Sequence, residues 1–134
     1  MGLYNSDEWY YRRLDERPPG LIYLKGGWVI VLTTTSSVEE AERIARGLLE
    51  KRLVACVNIV RDVKSIYWWQ GAIEEAVEAL VIAKTRQDKL EAVEKTIREL
   101  HSYKVPEIIA LPVIAGGEDY LGWLDKTVDQ AGTK

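Results

Sequence analysis

The stretch SIYWWQG at residues 65–71 decides the fold of this chain, because it joins an aromatic run to a tight-turn signal, Gln-Gly. A second stretch, HSYKVPE at residues 101–107, follows about one strand and one helix later. Its Pro-Glu step separates a helical pattern from an apolar, β-branched run. Neither stretch forms an active-site motif by itself, so both are first of all markers of architecture.

The segments on either side of the Gln-Gly turn differ in how clearly they predict structure. Residues 53–66 are apolar and β-branched, which predicts a long strand with an irregularity near Arg61-Asp62. Residues 72–84 contain three glutamates and several alanines, which favour a helix, beside valine, leucine and isoleucine, which suit either state. Local periodicity alone favours a helix over 72–84.

The remaining segments alternate between strand and helix patterns. Residues 28–34 form a continuous β-branched run typical of a buried central strand. Serines at 36 and 37 stand three residues before glutamates at 39 and 40, which is capping-box spacing and predicts a helix over 37–52. A second helix is predicted from Asp88 to His101, with Asp88 as its cap and Glu91 at the boxed position. Residues 108–114 predict the last main strand, with Pro112 at an edge or a bulge because it cannot donate to a ladder, and a short helix follows at 120–128.

Length and composition restrict the class of protein. With 134 residues the chain fits one domain, and its net charge of −3 gives no electrostatic reason to expect nucleic acid. The apolar runs are too short to cross a membrane, we expect no secretory signal because the first residues are charged and lack an apolar stretch, and the single cysteine, Cys56, agrees with a reducing compartment. We therefore expect a cytoplasmic protein. Two asparagines, three glutamines and one methionine among many charged residues further predict a thermostable protein.

Residues 1–27 differ from the rest of the chain. They mix aromatic side chains with equal numbers of acidic and basic ones, and the turn signals Pro18-Pro19-Gly20 and Gly26-Gly27 punctuate them. We expect an N-terminal extension over 1–27 and one domain over 28–134. The extension either packs on a neighbouring surface or forms a mobile tail.

Five motifs in order make residues 28–128 resemble the CutA family of divalent-cation tolerance proteins. They are ACVNI at 55–59, SIYWWQG at 65–71 followed by Ile73-Glu74, Lys84-Thr85, the pattern HxYxxPE over 101–107, and Tyr120-x-x-Trp123. The resemblance implies that residues 72–84 form a strand, against the local helix signal. The expected fold is then α+β: a ferredoxin-like β-α-β-β-α-β sandwich with an antiparallel sheet and a short C-terminal helix, assembled as a homotrimer.

The resemblance also implies where functional residues lie. Side chains expected at an intersubunit cleft or interface are Tyr67, Trp68, Trp69, Glu75, Lys84, Tyr103, Glu107 and Trp123. Such aromatics commonly dominate interface energetics, and a lysine near carboxylates and a tyrosine could bind a small anion. Salt-bridged strand residues are the more ordinary explanation of the charged members.

His101 and Cys56 are the metal-ligand candidates. The imidazole nitrogens of His101 and the thiol sulfur of Cys56 are the donors in this chain soft enough to prefer copper(II) or another divalent cation. Each has a plain structural explanation. An imidazole at a helix C-terminus interacts favourably with the helix dipole, and a cysteine in a buried strand acts as a small hydrophobe. The family's proposed copper ligands fall here on Thr33 and Leu100, and Ser102 replaces a common proline. No nucleophile–base or nucleotide-binding pattern is present, so we expect no enzyme.

The resemblance implies a cytoplasmic trimer involved in tolerance of, or response to, divalent metal ions, with copper the ion most often implied. A signalling trimer similar to the nitrogen-regulatory PII proteins is one alternative, although the turn at 65–75 is short and aromatic. A trimeric scaffold that contacts another protein through residues 1–27 is a second alternative.

Overall fold

A computed structural model describes residues 21–22 and 27–129. Its strands and helices follow in chain order as β1 Leu21–Ile22, β2 Trp28–Thr35, α1 Val38–Glu50, β3 Cys56–Trp69, β4 Ala72–Arg86, a 3₁₀ turn Gln87–Lys89, α2 Leu90–Leu100, β5 Ile109–Val113, β6 Gly116–Gly117 and α3 Glu118–Asp129. Strands β2 to β5 form one antiparallel sheet in the order β3-β4-β2-β5. This is the expected ferredoxin-like plan with a C-terminal helix.

Residues 72–84 are a strand, so the structure confirms the family-based prediction and not the local helix signal. Strand β4 is hydrogen-bonded on both sides, to β2 over Ala79–Arg86 and to β3 over nearly its whole length. Two partners satisfy backbone groups that a helix would have satisfied internally. Tertiary pairing therefore overrides the helix propensity of the alanines and glutamates.

The β3–β4 hairpin turns through two residues with left-handed backbone. Gln70 and Gly71 have φ angles of 50° and 83° between the paired Trp69 and Ala72. Two consecutive positive φ angles define the type I′ turn, whose twist matches that of the strands on either side. The expected irregularity is also present: the register shifts between Val60 and Val63, next to Asp62 at φ 58°.

The main core lies between one face of the sheet and helices α1 and α2. Its buried members are Val29, Val31, Ile44, Leu48, Val54, Ala83, Val93 and Ile97. Both helices carry one apolar stripe, and Ser37 caps α1 by accepting the Glu40 backbone N–H at 3.1 Å.

Helix α3 covers one end of the opposite face of the sheet. Trp28 points away from the main core because adjacent strand residues alternate in direction, and it packs with Leu121, Leu124 and Val128. Its indole N–H donates to Asp125 at 2.9 Å. Gly116 allows the close approach of α3, since a Cβ there would lie 2.9 Å from a Leu121 methyl carbon.

The predicted cap of the second helix is wrong. Lys89, not Asp88, is the N-cap of α2, and no side chain bonds there. Asp88 instead accepts two hydrogen bonds from the Arg86 guanidinium, both at 3.0 Å. This bidentate pair outcompetes a single bond to a helix N–H, and it lowers the pKa of Asp88. Arg86 also contacts Asp129 at 2.6 Å, which ties α3 to β4.

The last part of the extension contacts the domain. Leu21 pairs with Gly117 and Ile22 with Gly116 in a two-stranded antiparallel ladder. The rest of the prediction for residues 1–20 and 23–26 lies outside the described residues. Among the described helices, none is both long and apolar enough to cross a membrane.

Candidate functional site

The loop after α2 begins with a buried histidine whose two ring nitrogens are both engaged. The His101 side chain has no solvent exposure. Its Nε2 lies 2.8 Å from the Thr34 carbonyl oxygen, which can only accept, so Nε2 carries the proton. The Tyr103 backbone N–H donates to Nδ1 at 3.1 Å. The contacts therefore fit the neutral imidazole, with no ring lone pair left over for a metal ion.

A buried carboxylate holds the next residue of the loop. Glu40 Oε2 accepts the Ser102 backbone N–H at 2.6 Å, while Oε1 accepts the N–H and the hydroxyl of Ser36 at 3.1 and 3.0 Å. Burial by itself raises the pKa of Glu40, but the bonds from Ser102 and Ser36 outweigh it and lower the pKa to about 2. Glu40 is thus a buried anion in the first turn of α1, and the hydrogen bonds from Ser36 and Ser102 stabilise its charge. His101 Nδ1 lies 3.6 Å from Glu40 Oε2.

Tyr103 connects the loop to the hairpin. Its hydroxyl donates to Glu78 Oε2 at 2.7 Å, and its ring lies 4.9 Å from the His101 ring, centroid to centroid. Burial and the Glu78 carboxylate both raise the pKa of Tyr103, so the phenol stays protonated. The loop is therefore fixed to β2, α1 and β4 at once, which is a structural role for residues 101–103.

Cys56 and Lys84 lie side by side at the other end of the sheet. They are paired residues of β3 and β4, and the Cys56 thiol is partly exposed. The Lys84 ammonium lies 5.9 Å from the centre of the Tyr120 ring, at cation–π distance. Tyr120 in turn stacks at an angle on Trp123, with 5.4 Å between centroids. The structure thus brings Lys84 and Trp123 together around Tyr120, with Cys56 on the strand beside Lys84.

The hairpin aromatics are exposed in the single chain. Trp68 is 73% exposed and Trp69 58%, and Tyr67 is also exposed. Ile66, Ile73 and Val77 add aliphatic surface to the same ribbon, each at least 60% exposed. Both faces of the hairpin beyond the body of the domain carry large apolar side chains that the described residues leave exposed, which is unusual for a monomeric protein.

The charged members of the predicted cleft do not meet within one chain. Glu75 pairs with Lys64 across the hairpin at 3.2 Å, where both side chains are more than half exposed and the pair contributes little stability. Nine residues of extended strand, roughly 30 Å, separate Glu75 from Lys84. Glu107 is exposed at the far end of its loop. Glu75 and Lys84 of one chain therefore do not line the same cleft.

No group of three or more His, Cys, Asp or Glu side chains suited to a metal ion occurs among the residues that the structure describes. The predicted ligands lie apart: His101 contacts Thr34 near the end of β2, whereas Cys56 is paired with Lys84, which lies opposite Ile30 near the start of β2. Whether either one ligates a metal stays a prediction, and the geometry leaves Cys56 the more accessible of the two.

Sequence reasoning missed Glu40 and Glu78 as partners of the loop. The Ser37–Glu40 spacing gave Glu40 a local capping role, but Ser102 is 62 residues away from it in the sequence. Glu78 was one of the three glutamates that favoured a helix over 72–84, and only the fold brings it to Tyr103. No pattern of neighbouring residues shows that an acid at the start of a helix will be buried and will accept a backbone N–H from a distant loop.

The fold and the site together define a class of antiparallel ferredoxin-like proteins. Its members have a long aromatic hairpin and a histidine loop that is hydrogen-bonded to the sheet. The family model described as CutA1 divalent ion tolerance protein matches residues 29–127. The chain belongs to this family.

Individual relatives agree with the family model. The divalent-cation tolerance protein CutA of Archaeoglobus fulgidus is 48% identical over 99 residues, which are 74% of this chain and 96% of that protein. The protein of the same description from Thermus thermophilus is 46% identical over 95 residues, 71% of this chain and 92% of the relative. Among solved structures, CutA of Synechococcus elongatus superposes with a TM-score of 0.77 at 34% identity, covering 82% of this chain and 96% of the other.

The solved structure of the A. fulgidus protein, described as periplasmic, superposes with a TM-score of 0.73 at 46% identity over 75% of this chain and 98% of the other. Compartment thus varies in the descriptions of these relatives, and the expected cytoplasmic location stays a prediction.

Proposed function

We propose that this protein serves divalent-cation tolerance as a cytoplasmic homotrimer that binds copper(II) or a similar cation weakly, without catalysing a reaction. The observation that carries the proposal is the uncovered apolar hairpin in a chain of this family. Tolerance of divalent cations is the function that the family description and the relatives' names share.

The hairpin supports the trimer because it exposes large apolar side chains that a neighbouring subunit could bury. Trp68, Ile73 and Val77 together expose most of their surface, and the outer edges of β3 and β5 have no partner strand among the described residues. Burying apolar surface yields about 25 cal/mol per Å², and edge pairing satisfies backbone groups that otherwise invite aggregation. Closed cyclic assembly gives every copy the same neighbours and leaves no open edge.

The contacts favour Cys56 over His101 as a metal contact. Metal binding at His101 would have to break the bond to Thr34 or the bond from Tyr103, in a side chain without solvent access. The Cys56 thiol needs no such rearrangement, because it is partly exposed on a strand. One thiol per chain makes a weak site, unless symmetry brings further ligands to it.

The two alternatives are distinguishable. A PII-like signalling trimer needs a long effector loop at the hairpin, whereas this hairpin closes through Gln70 and Gly71 alone. A protein scaffold that uses residues 1–27 would lose its partner when that segment is changed, while metal binding and metal tolerance would persist.

Copper(II) titration by calorimetry on the assembled full chain tests the proposed function. We compare wild type with Cys56→Ser and with His101→Gln, and use Ser102→Ala, which keeps the Ser102 backbone N–H, as the control for a change in the loop. Saturable heat that is lost only in Cys56→Ser supports the proposal. Heat lost only in His101→Gln, in a variant that keeps the wild-type circular dichroism, moves the site to the loop.

Growth of a copper-sensitive bacterial host that expresses the chain is the second readout. The proposal predicts better growth at elevated copper(II) with wild type than with empty vector. No saturable binding together with no growth difference would contradict the metal role and favour the scaffold.

A further inference from the structure

The outer part of the β3–β4 hairpin, residues 63–78, has few attachments to the rest of the domain. Strand β2 pairs with β4 only as far as Thr35 opposite Ala79, so among the described strands residues 72–78 pair with β3 alone. None of the buried apolar clusters of the described residues includes a residue of the outer hairpin. The outer hairpin is therefore a two-stranded ribbon, a structure that is only marginally stable by itself.

The base of the outer hairpin is a bend. The register of β3 shifts between Val60 and Val63, and Asp62 between them has a φ angle of 58°. Such a bulge bends its strand and interrupts the ladder. It lies opposite the stretch of β4 from Glu78 to Leu80, at the level where pairing with β2 ends. The angle at which the outer hairpin leaves the domain is therefore set at this point.

One side chain of the domain reaches across to this bend. The Tyr103 hydroxyl donates to Glu78 Oε2 at 2.7 Å, and Glu78 is paired with Val63, the first paired residue after the bulge. Among the described residues, this is the hydrogen bond that joins a side chain of the outer hairpin to the body of the domain. Its acceptor is a carboxylate, and charge-assisted bonds of this kind are about twice as strong as neutral ones.

The Tyr103 end of this bond is fixed to the domain. The Tyr103 backbone N–H donates to the His101 ring, which is itself hydrogen-bonded to the Thr34 carbonyl oxygen near the end of β2. The Ser102 backbone N–H donates to the buried Glu40 of α1. The phenol therefore extends from a loop that both β2 and α1 hold in place.

We propose that the Tyr103 hydroxyl is a positioning group for assembly. Through Glu78 it sets the angle of the outer hairpin, so that Trp68 and Trp69 are held where a neighbouring copy binds them. This inference rests on the homotrimer of the proposed function. A hairpin that is already oriented loses less conformational entropy when a neighbour binds it, which strengthens assembly without a further contact between subunits.

Subunit exchange tests this role, because exchange requires the assembly to dissociate. Native mass spectrometry follows the mixed assemblies that form between isotope-labelled and unlabelled full-length protein. The variants are Tyr103→Phe, which removes the hydroxyl alone, Glu78→Ala, and the two together, while Glu78→Gln keeps an oxygen that can accept the bond. Thr85→Val is the matched control, since it removes a hydrogen bond inside the domain, from Thr85 to the Leu53 carbonyl oxygen at 2.7 Å.

Tyr103→Phe and Glu78→Ala should each exchange subunits about tenfold faster than wild type, since each loses the same charge-assisted bond. The double variant should be no faster than either single variant, because the two residues share one interaction. Glu78→Gln and Thr85→Val should exchange at nearly the wild-type rate. An unchanged rate in Tyr103→Phe would overturn the proposal, and so would a double variant in which the two single effects multiply.

Failure of the proposed function would look different. A wild-type mass of one chain would remove the homotrimer, and the positioning role would then be tested in the monomer by double electron–electron resonance. Spin labels at Ala72→Cys and Glu50→Cys, with Cys56→Ser in the background, report the distance between the hairpin tip and the end of α1. The distance distribution should be wider with Tyr103→Phe than without it, and equal widths would overturn the proposal.

Discussion

Replacing Glu40 by glutamine should remove a pH-dependent share of the stability of this protein. The side chain is 3% exposed, and its carboxylate accepts three hydrogen bonds from Ser36 and Ser102. Its pKa falls from 4.5 to about 2 in the folded chain. Such a shift corresponds to about 3 kcal/mol of extra stability for the ionised form in the folded state.

The sign of the pH dependence follows from the lowered pKa. A carboxyl with a lower pKa in the folded state stabilises the protein fully above its unfolded value and loses that contribution as pH falls through its folded value. The Glu40 contribution is therefore complete above pH 4.5 and disappears toward pH 2. Glu40→Gln should be less stable than wild type by about 3 kcal/mol at neutral pH, with the difference shrinking over that window.

The assay is urea unfolding of both proteins at a series of pH values and at one fixed protomer concentration, because assembly contributes to apparent stability. Glu39→Gln is the matched control, since Glu39 lies beside Glu40 in the same first turn of α1 but is exposed. A Glu40→Gln deficit that is the same at pH 7 and pH 2, or no larger than that of Glu39→Gln, would refute the reasoning.

Three further predictions concern single side chains. Thr33→Val should raise the free energy of unfolding by about 1 kcal/mol, because the buried Thr33 hydroxyl has no hydrogen-bond partner among the described residues, whereas Thr35→Val should lower it, since that hydroxyl donates to the Ser37 carbonyl oxygen at 2.7 Å; urea unfolding of the pair checks both signs. Gln70→Asn should stabilise the protein by about 0.5 kcal/mol and raise the thermal midpoint, since asparagine tolerates the left-handed first position of a type I′ turn better than glutamine. An unchanged or lower midpoint would count against this reasoning. Asp125→Ala should cost about 1–2 kcal/mol and shift the fluorescence of Trp28, because it removes the oxygen that accepts the indole N–H; unchanged stability would show that this bond does not hold α3.

The sequence predicted those parts of the fold that depend on neighbouring residues. The Gln70-Gly71 pair suits the positive φ angles of its turn, and Pro112, which has no N–H for a ladder, suits the edge position of β5. The register of the hairpin also shifts where the sequence predicted an irregularity, near Asp62. The strand state of residues 72–86 has no local cause. It depends on pairing with β2 and β3, and only resemblance to the CutA family revealed it.

The site was harder to predict than the fold, because its bonds join distant residues. His101 reaches Thr34 across 67 positions, and Tyr103 reaches Glu78 across 25. Sequence alone gave His101 two explanations, a metal ligand or a dipole-stabilised cation, and neither describes a neutral ring with both nitrogens bonded. The predicted Asp88 cap failed for a related reason, since the Arg86 fork two residues earlier binds the same carboxylate more strongly.

The mass of the assembled protein tests the central claim most directly. Native mass spectrometry and sedimentation equilibrium of the full chain at micromolar concentration should give three times the 15.2 kDa of one chain. Trp68→Ser, which removes the most exposed aromatic side chain of the hairpin, should weaken that assembly, while Glu39→Gln should not. A wild-type mass of one chain would contradict the account, because the apolar hairpin would then have to remain uncovered in water.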